Sequence, residues 1–299
     1  MLTGTMVASH TGQKLQATGS DKSPLMTLLR YMGHIPGDYL RTFFYLNFIY
    51  GPRRSLRRAT AAFYRMDHVY EILKEARGNY KGPFSILEFG VADGYAFTKK
   101  LYATRYLGMA DQVIVHGFDT FEGMPETSDQ RDRGGVIGGD WQAGQFHGSY
   151  EALDAYCRDK YLNYDLHKGL FEHTITPQFL DGLGEHRPIL VWIDCDYYSS
   201  ARAVMERIWR HLPTGCVIYF DEYEFNFGSR LTGEARLVHE INQGLLGDDV
   251  ELVLDGELSW DLHRCYRFIN LATENPLELR HPPVPASYVR RRTNDSPLP

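Results

Sequence analysis

The chain of 299 residues is 43% apolar and carries a formal charge of −6, enough for one large domain or two small ones and without the basic excess that recruits nucleic acid. No run approaches the ~18 uninterrupted apolar residues of a membrane helix, and the start of the chain lacks the apolar core of a secretory signal. A soluble, cytoplasmic protein with no membrane partner is therefore expected.

Residues 1–24 are polar and aperiodic and are expected to be disordered. From Leu25 to Tyr50 the composition changes, with Tyr31, Tyr39, Phe43, Phe44, Tyr45 and Phe48 crowded together. This segment reads as a helix packed on the core or on a twin subunit, with an aromatic lid as the alternative. Arg53, Arg54, Arg57 and Arg58 read as a solvated face, and a helical pattern over 61–76 completes an N-terminal extension at 25–80. The four cysteines, Cys157, Cys195, Cys216 and Cys265, lack paired metal spacing and read as reduced and mostly buried, the last three in strands.

From Ser85 strands alternate with helices, the signature of a doubly wound α/β sheet. Strands are expected at 85–90, 113–119, 164–168, 189–195, 216–221, 250–254 and 265–271, and helices near 96–107, 149–160, 199–211 and 231–244. Residues 81–275 thus form the main domain. The tail 276–299 holds six of the 14 prolines and is expected to be irregular.

The stretch Ser85–Gly94 reads as a strand, a glycine turn and a helix start. Gly90 and Gly94 let backbone approach a ligand, and free N–H groups at the helix start attract an anionic group. Glu88, in an apolar strand, wants an ammonium or hydroxyl partner. The spacing is not the Gly-x-Gly-x-x-Gly of a dinucleotide fold, which argues against NAD. In an open sheet, ligands sit outside the carboxyl ends of the strands. Asp119, at the tip of the second strand, can accept both ribose hydroxyls of a nucleoside, or it can serve a turn. Gly169 leaves room for an adenine, and Phe171 either stacks there or joins the core.

The fourth and fifth strands end in Asp194-Cys195-Asp196 and Asp221-Glu222. Alternation puts Asp194 and Asp196 on one face, and adjacent strands bring the two acidic groups together. Such a cluster repels itself, and a divalent cation is the natural remedy. Hard oxygen donors point to magnesium or a similar ion, with Asp194, Asp221 and Glu222 as ligands. The structural alternative has one or more of these acids capping a helix or pairing with Arg202 or Arg230.

Taken together, Glu88-Phe-Gly-Val-Ala-Asp-Gly94, Gly117-Phe-Asp-Thr-Phe-Glu-Gly123, Trp141-Gln-Ala-Gly144, Lys168-Gly-Leu-Phe171 with Thr174, Asp194-Cys-Asp-Tyr-Tyr198 and Asp221-Glu-Tyr223 resemble the macrocin O-methyltransferase family. The resemblance runs in order over roughly Ser85–Leu271. It implies a Rossmann-like class I methyltransferase fold, a seven-stranded mostly parallel sheet with helices on both faces, and a homo-oligomer. It also implies S-adenosylmethionine as cofactor, held by Glu88, Gly90, Val91, Ala92, Gly94, Asp119, Thr120, Phe121, Gly169 and Phe171. The metal would sit on Asp194, Asp221 and Glu222. Two departures stand out: Glu222 replaces the usual second Asp, and the small hydroxyl residue expected after the glycine turn is missing, which leaves open whether Thr98 takes over its contact.

The expected reaction is methylation of a sugar or natural-product glycoside whose vicinal hydroxyls chelate the metal, with Asp194 taking or relaying the proton. His147 is a spare base that a loop position leaves more simply explained as solvated. Rival readings are a catechol-type acceptor, a glycosyltransferase using Asp194-x-Asp196, and a non-catalytic nucleoside-binding scaffold. Tyr197 and Tyr198 stand where the catechol enzymes carry a lysine, which favours an aliphatic diol.

Overall fold

The computed structural model describes residues 67–132, 141–259 and 263–281. The expected segments at 1–24 and 25–50, the arginine cluster and residues 61–66 lie outside the described residues.

The described chain begins with α1 (Asp67–Asn79) and then winds a sheet. Its strands are β1 (Phe84–Phe89), β2 (Val113–Asp119), β3 (Tyr164–Lys168), β4 (Arg187–Ile193), β5 (Val217–Phe220), β6 (Val250–Leu254) and β7 (Arg264–Asn270). The helices between them are α2 (Tyr95–Tyr106), α3 (Tyr150–Arg158), α4 (Phe171–Thr174), α5 (Pro177–Gly182), α6 (Tyr198–Ile208) and α7 (Gly233–Ile241). The sheet order is β3-β2-β1-β4-β5-β7-β6, with β7 antiparallel to both neighbours and the remaining pairs parallel. This is the Rossmann-like class I methyltransferase sheet expected from the sequence.

The pattern of each strand follows from its place in that order. β1 and β5 are buried throughout, and β4 at all but its first residue, as strands covered on both faces must be. The edge strands β3 and β6 are only partly buried. Alternation divides the core between two faces. Phe84, Ile86, Leu190, Trp192 and Tyr219 pack under α1, α2 and α3. Leu87, Phe89, Val191, Ile193, Ile218 and Phe220 pack under α6 and α7. Since β1 is flanked by β2 and β4, the winding reverses there, and the crevice this opens lies at the carboxyl ends of β1 and β4.

Several expectations shift. β4 ends at Ile193, so Asp194, Cys195 and Asp196 belong to the following loop, and Asp196 has a left-handed backbone (φ 59). Strand alternation therefore does not decide which way Asp194 and Asp196 face. Cys195 and Cys216 likewise fall outside strands, while Cys265 lies in β7 and all four cysteines are free thiols. Helices α4 and α5 were not foreseen: they span only 4 and 6 residues, too short for a periodic signal. The tail is docked as far as 281, with Leu277 buried and backbone bonds from Lys81 N to Glu278 O and from Leu277 N to Thr214 O.

The start of α6 carries no cap from its own N-cap residue, Tyr197. Asp132, 2% exposed, supplies one from a distance. Its Oδ1 accepts from Ser199 N at 2.7 Å, and its Oδ2 accepts from the hydroxyls of Ser199 at 2.8 Å and Thr127 at 2.7 Å. Asp132→Ala is expected to cost about 0.5–2 kcal/mol, the range of a lost cap side chain, read as a lower urea midpoint with an unchanged slope.

Candidate active site

The crevice is built on a close approach of two backbones. Gly90 has φ +94, and a Cβ there would stand 1.8 Å from the carbonyl oxygen of Asp194, so only glycine lets the end of β1 lie against the end of β4. Beyond it the chain turns through Val91 and Ala92 into α2. Asp119, at the tip of β2, holds that turn. Its Oδ2 accepts from the amides of Val91 at 2.7 Å and Ala92 at 2.8 Å, and its Oδ1 accepts from Phe121 N at 2.6 Å. The amides expected to be free for a ligand are thus partly engaged by this carboxylate, a charge-assisted arrangement. Two carboxylate oxygens offer about four lone-pair sites, so acceptor capacity remains.

The other expected cofactor residues fall around this turn. Glu88 is fully buried and meets Lys100 Nζ at 2.9 Å, so the ammonium anticipated from the sequence comes from α2. Gly94 opens that helix with φ +81. Thr120 shapes the next turn, its hydroxyl accepting from Glu122 N at 3.2 Å. Phe121 is buried, edge-on to Tyr150. Gly169 N bonds to Asp119 O at 2.9 Å, while Phe171 packs edge-on against Phe89. Thr98 donates to Gly94 O at 2.9 Å within its own helix, so its hydroxyl serves the helix start. His147 is exposed.

The acidic cluster forms as expected. Asp194, Asp221 and Glu222 each offer a carboxylate oxygen within 4.8 Å of the others. Each Asp is oriented by an aromatic donor two residues upstream. Trp192 Nε1 donates to Asp194 Oδ2 at 3.2 Å, and the Tyr219 hydroxyl donates to Asp221 Oδ1 at 2.6 Å. The two rings are register partners and stack at 3.5 Å. Lys100 Nζ lies 3.8 Å from the centre of the Trp192 ring, which links the Glu88 pair to the Asp194 donor. His263, at the entry to β7, stands with Nδ1 3.2 Å from Asp221 Oδ1 and 2.9 Å from its carbonyl oxygen.

Sequence reasoning missed Trp192, Tyr219, Lys100, His263 and Glu234. The first two had a signal, since Trp-x-Asp and Tyr-x-Asp recur at the ends of neighbouring strands. Glu234 had none: it comes from α7, is 1% exposed, and accepts from Glu222 N at 3.0 Å. Burial, together with the charges of Asp221, Asp196, Asp194 and Glu234, pushes the Glu222 carboxyl well above the ordinary carboxylate range. Burial and the Asp neighbours do the same to Glu234. Glu222 Oε2 and Glu234 Oε1 are buried and accept no hydrogen bond. Oxygen donors of this kind fit a hard divalent cation. Alongside, Trp141 and Phe225 stack with centroids 5.7 Å apart and line a small hollow with Asp196, Glu222 and Glu234.

Lys100→Met removes the ammonium from a buried carboxylate and is expected to cost about 3–5 kcal/mol in urea unfolding. The double variant Glu88→Leu with Lys100→Met is expected to recover most of that loss, since two apolar side chains can replace a buried pair. A near-neutral single variant would show that the pair does not hold this strand end.

Residues 87–223 match a methyltransferase domain family. Among solved structures, CalS11, a calicheamicin methyltransferase, is 25% identical with a TM-score of 0.55, over 87% of this chain and 99% of that one. A second structure of CalS11, described as a TDP-rhamnose 3'-O-methyltransferase, gives 21% identity and a TM-score of 0.49 over 85% and 99%. The O-methyltransferase NovP gives 17% and 0.49 over 69% and 79%. Among curated proteins, none matches this chain in sequence.

Proposed function

We propose that this chain is a class I S-adenosylmethionine-dependent O-methyltransferase of the macrocin type, a reading supported by the methyltransferase domain match over residues 87–223 and by the likeness to CalS11, and that it methylates one hydroxyl of a sugar or natural-product glycoside bearing vicinal hydroxyls. In this reading a divalent cation, magnesium or a similar ion, is held by Asp194, Asp221 and Glu222. The observation that carries the metal is Glu222 Oε2, buried with no hydrogen-bond donor on a carboxylate grouped with those of Asp194 and Asp221. Leaving such an atom without a partner is costly, and a hard cation relieves it together with the mutual repulsion of the acids.

S-adenosylmethionine supplies an electrophilic methyl group, and the cation stabilises the negative charge that develops on an attacking hydroxyl. The protein's part is positioning and proton handling. Gly90, Val91, Ala92 and Gly94 form the turn for the cofactor, with Glu88 bracing it from behind through Lys100 and Asp119 as the ribose acceptor. Thr120 and Phe121 set the adjoining turn, and Gly169 and Phe171 border the adenine side. Asp194 takes or relays the acceptor's proton, held in orientation by the Trp192 indole. Alignment of two bound reactants can supply ~7–11 kcal/mol of barrier reduction. The stacked Trp141 and Phe225 beside the acids support an acceptor that presents a sugar face. A homo-oligomer belongs to the same reading, as does a reducing compartment, which the four free thiols support.

The test is transfer of labelled methyl from S-adenosylmethionine to a panel of nucleotide deoxysugars and their glycosides. Transfer is expected to stop with EDTA and return with magnesium. Asp221→Asn is expected to lower kcat at least about 100-fold while cofactor binding, measured by calorimetry, stays within about threefold. Full turnover in EDTA would remove the metal from the mechanism. Failure to bind either S-adenosylmethionine or its demethylated product would remove the cofactor.

A further inference from the structure

A second group of metal-binding side chains gathers on the other arm of the sheet, away from the acidic cluster. His116 lies in β2, and Asp165 and His167 lie in β3 with the register His116 to Asp165 and Phe118 to His167. Residues two apart on a strand share a face, so Asp165 and His167 meet His116 on one side of the sheet. His116 Nδ1 stands 3.2 Å from His167 Nε2. Asp165 Oδ2 stands 3.9 Å from the first nitrogen and 3.5 Å from the second. A point equidistant from the three atoms lies about 2.1 Å from each, the length of zinc bonds to imidazole nitrogen and carboxylate oxygen.

We propose that His116, Asp165 and His167 form a binding site for a zinc-class transition-metal ion, distinct from the magnesium-type cluster at the ends of β4 and β5. The donor set decides the class: two imidazoles and one carboxylate suit zinc and its neighbours, whereas magnesium favours oxygen alone. The site is also rigid where a ligand set needs rigidity. The His167 ring stacks on Phe118 with centroids 4.2 Å apart and an interplanar angle of 9°. Phe179, from α5, meets both imidazoles edge-on at 5.1 and 5.4 Å. Both rings are therefore fixed by aromatic packing before any ion arrives. Asp165, with a side chain 55% exposed, faces the solvent side, where water can complete the coordination shell. The strand register sets the carboxylate opposite His116 and beside His167, and one oxygen within 4 Å of both nitrogens completes the three-donor set. Occupied, the site would tie the edge strand β3 to β2 just below Asp119 and Gly169.

The experiment uses the full chain, stripped by chelator and returned to buffer with saturating magnesium to occupy the acidic cluster. Zinc is then titrated against a chromophoric chelator, and cobalt(II) is added separately as a spectroscopic probe. One zinc equivalent is expected with Kd at or below about 1 μM, together with visible cobalt bands of a four- or five-coordinate nitrogen-containing site. His167→Gln and Asp165→Asn are expected to weaken zinc at least about tenfold and to alter those bands, while Asp221→Asn leaves both unchanged. Asp165 is exposed, so its variant keeps the test valid if the histidine variant misfolds. Binding no tighter than about 100 μM, or zinc binding lost with Asp221→Asn and retained in Asp165→Asn, would overturn the site.

Discussion

Carboxylates at the tips of buried strands impose the condition around which this structure is arranged, because each must meet a positive charge or a donor where water is scarce. The chain meets it differently at each tip. Glu88 has an ammonium from α2. Asp119 has three backbone amides. Asp194 and Asp221 have an indole and a phenol. At Glu222 and Glu234 a buried acidic oxygen stands without a hydrogen-bond donor. Those two oxygens are what support the proposed cation at this end of the sheet.

The aromatic pair Trp192 and Tyr219 connects structure to chemistry. As register partners on neighbouring strands, the two rings stack inside the core and present their polar edges to the two aspartates. The donors thus ride on side chains whose rotamers are fixed by packing, which is how a site keeps its geometry without flexible polar residues. Lys100, over the Trp192 ring and beside Glu88, carries the same rigidity across to the glycine turn. The glycine turn and the acidic cluster therefore share one floor.

Much of this was legible in the sequence. Apolar runs such as Phe84–Phe89 and Pro188–Ile193 mark central strands because burial on both faces demands them, and the acids that follow mark the functional edge. Strand bounds moved by at most two residues and helix ends by up to three, and one such shift mattered: with β4 ending at Ile193, the loop rather than the strand pleat orients Asp194 and Asp196. The missed groups share a cause. Lys100 and Glu234 sit on helices, His263 at the far antiparallel strand, and their approach to the acids depends on tertiary packing that no local pattern encodes. Thr98, left open by the sequence, is taken up locally, since a hydroxyl four residues after Gly94 finds the helix carbonyl.

The neck of the loop after β2 bears on how that loop is attached. Met124 and the pair Gly144 and Gln145 exchange backbone bonds of 2.8 Å, while Asp132 is fastened to Ser199 and the Thr232 hydroxyl donates to the Arg131 carbonyl at 2.7 Å. This excursion is thus fastened to the scaffold twice, by main-chain bonds at its neck and by a buried carboxylate farther along. Any graft of a foreign segment between those fastenings has to retain Asp132, because the same carboxylate secures the first turn of α6.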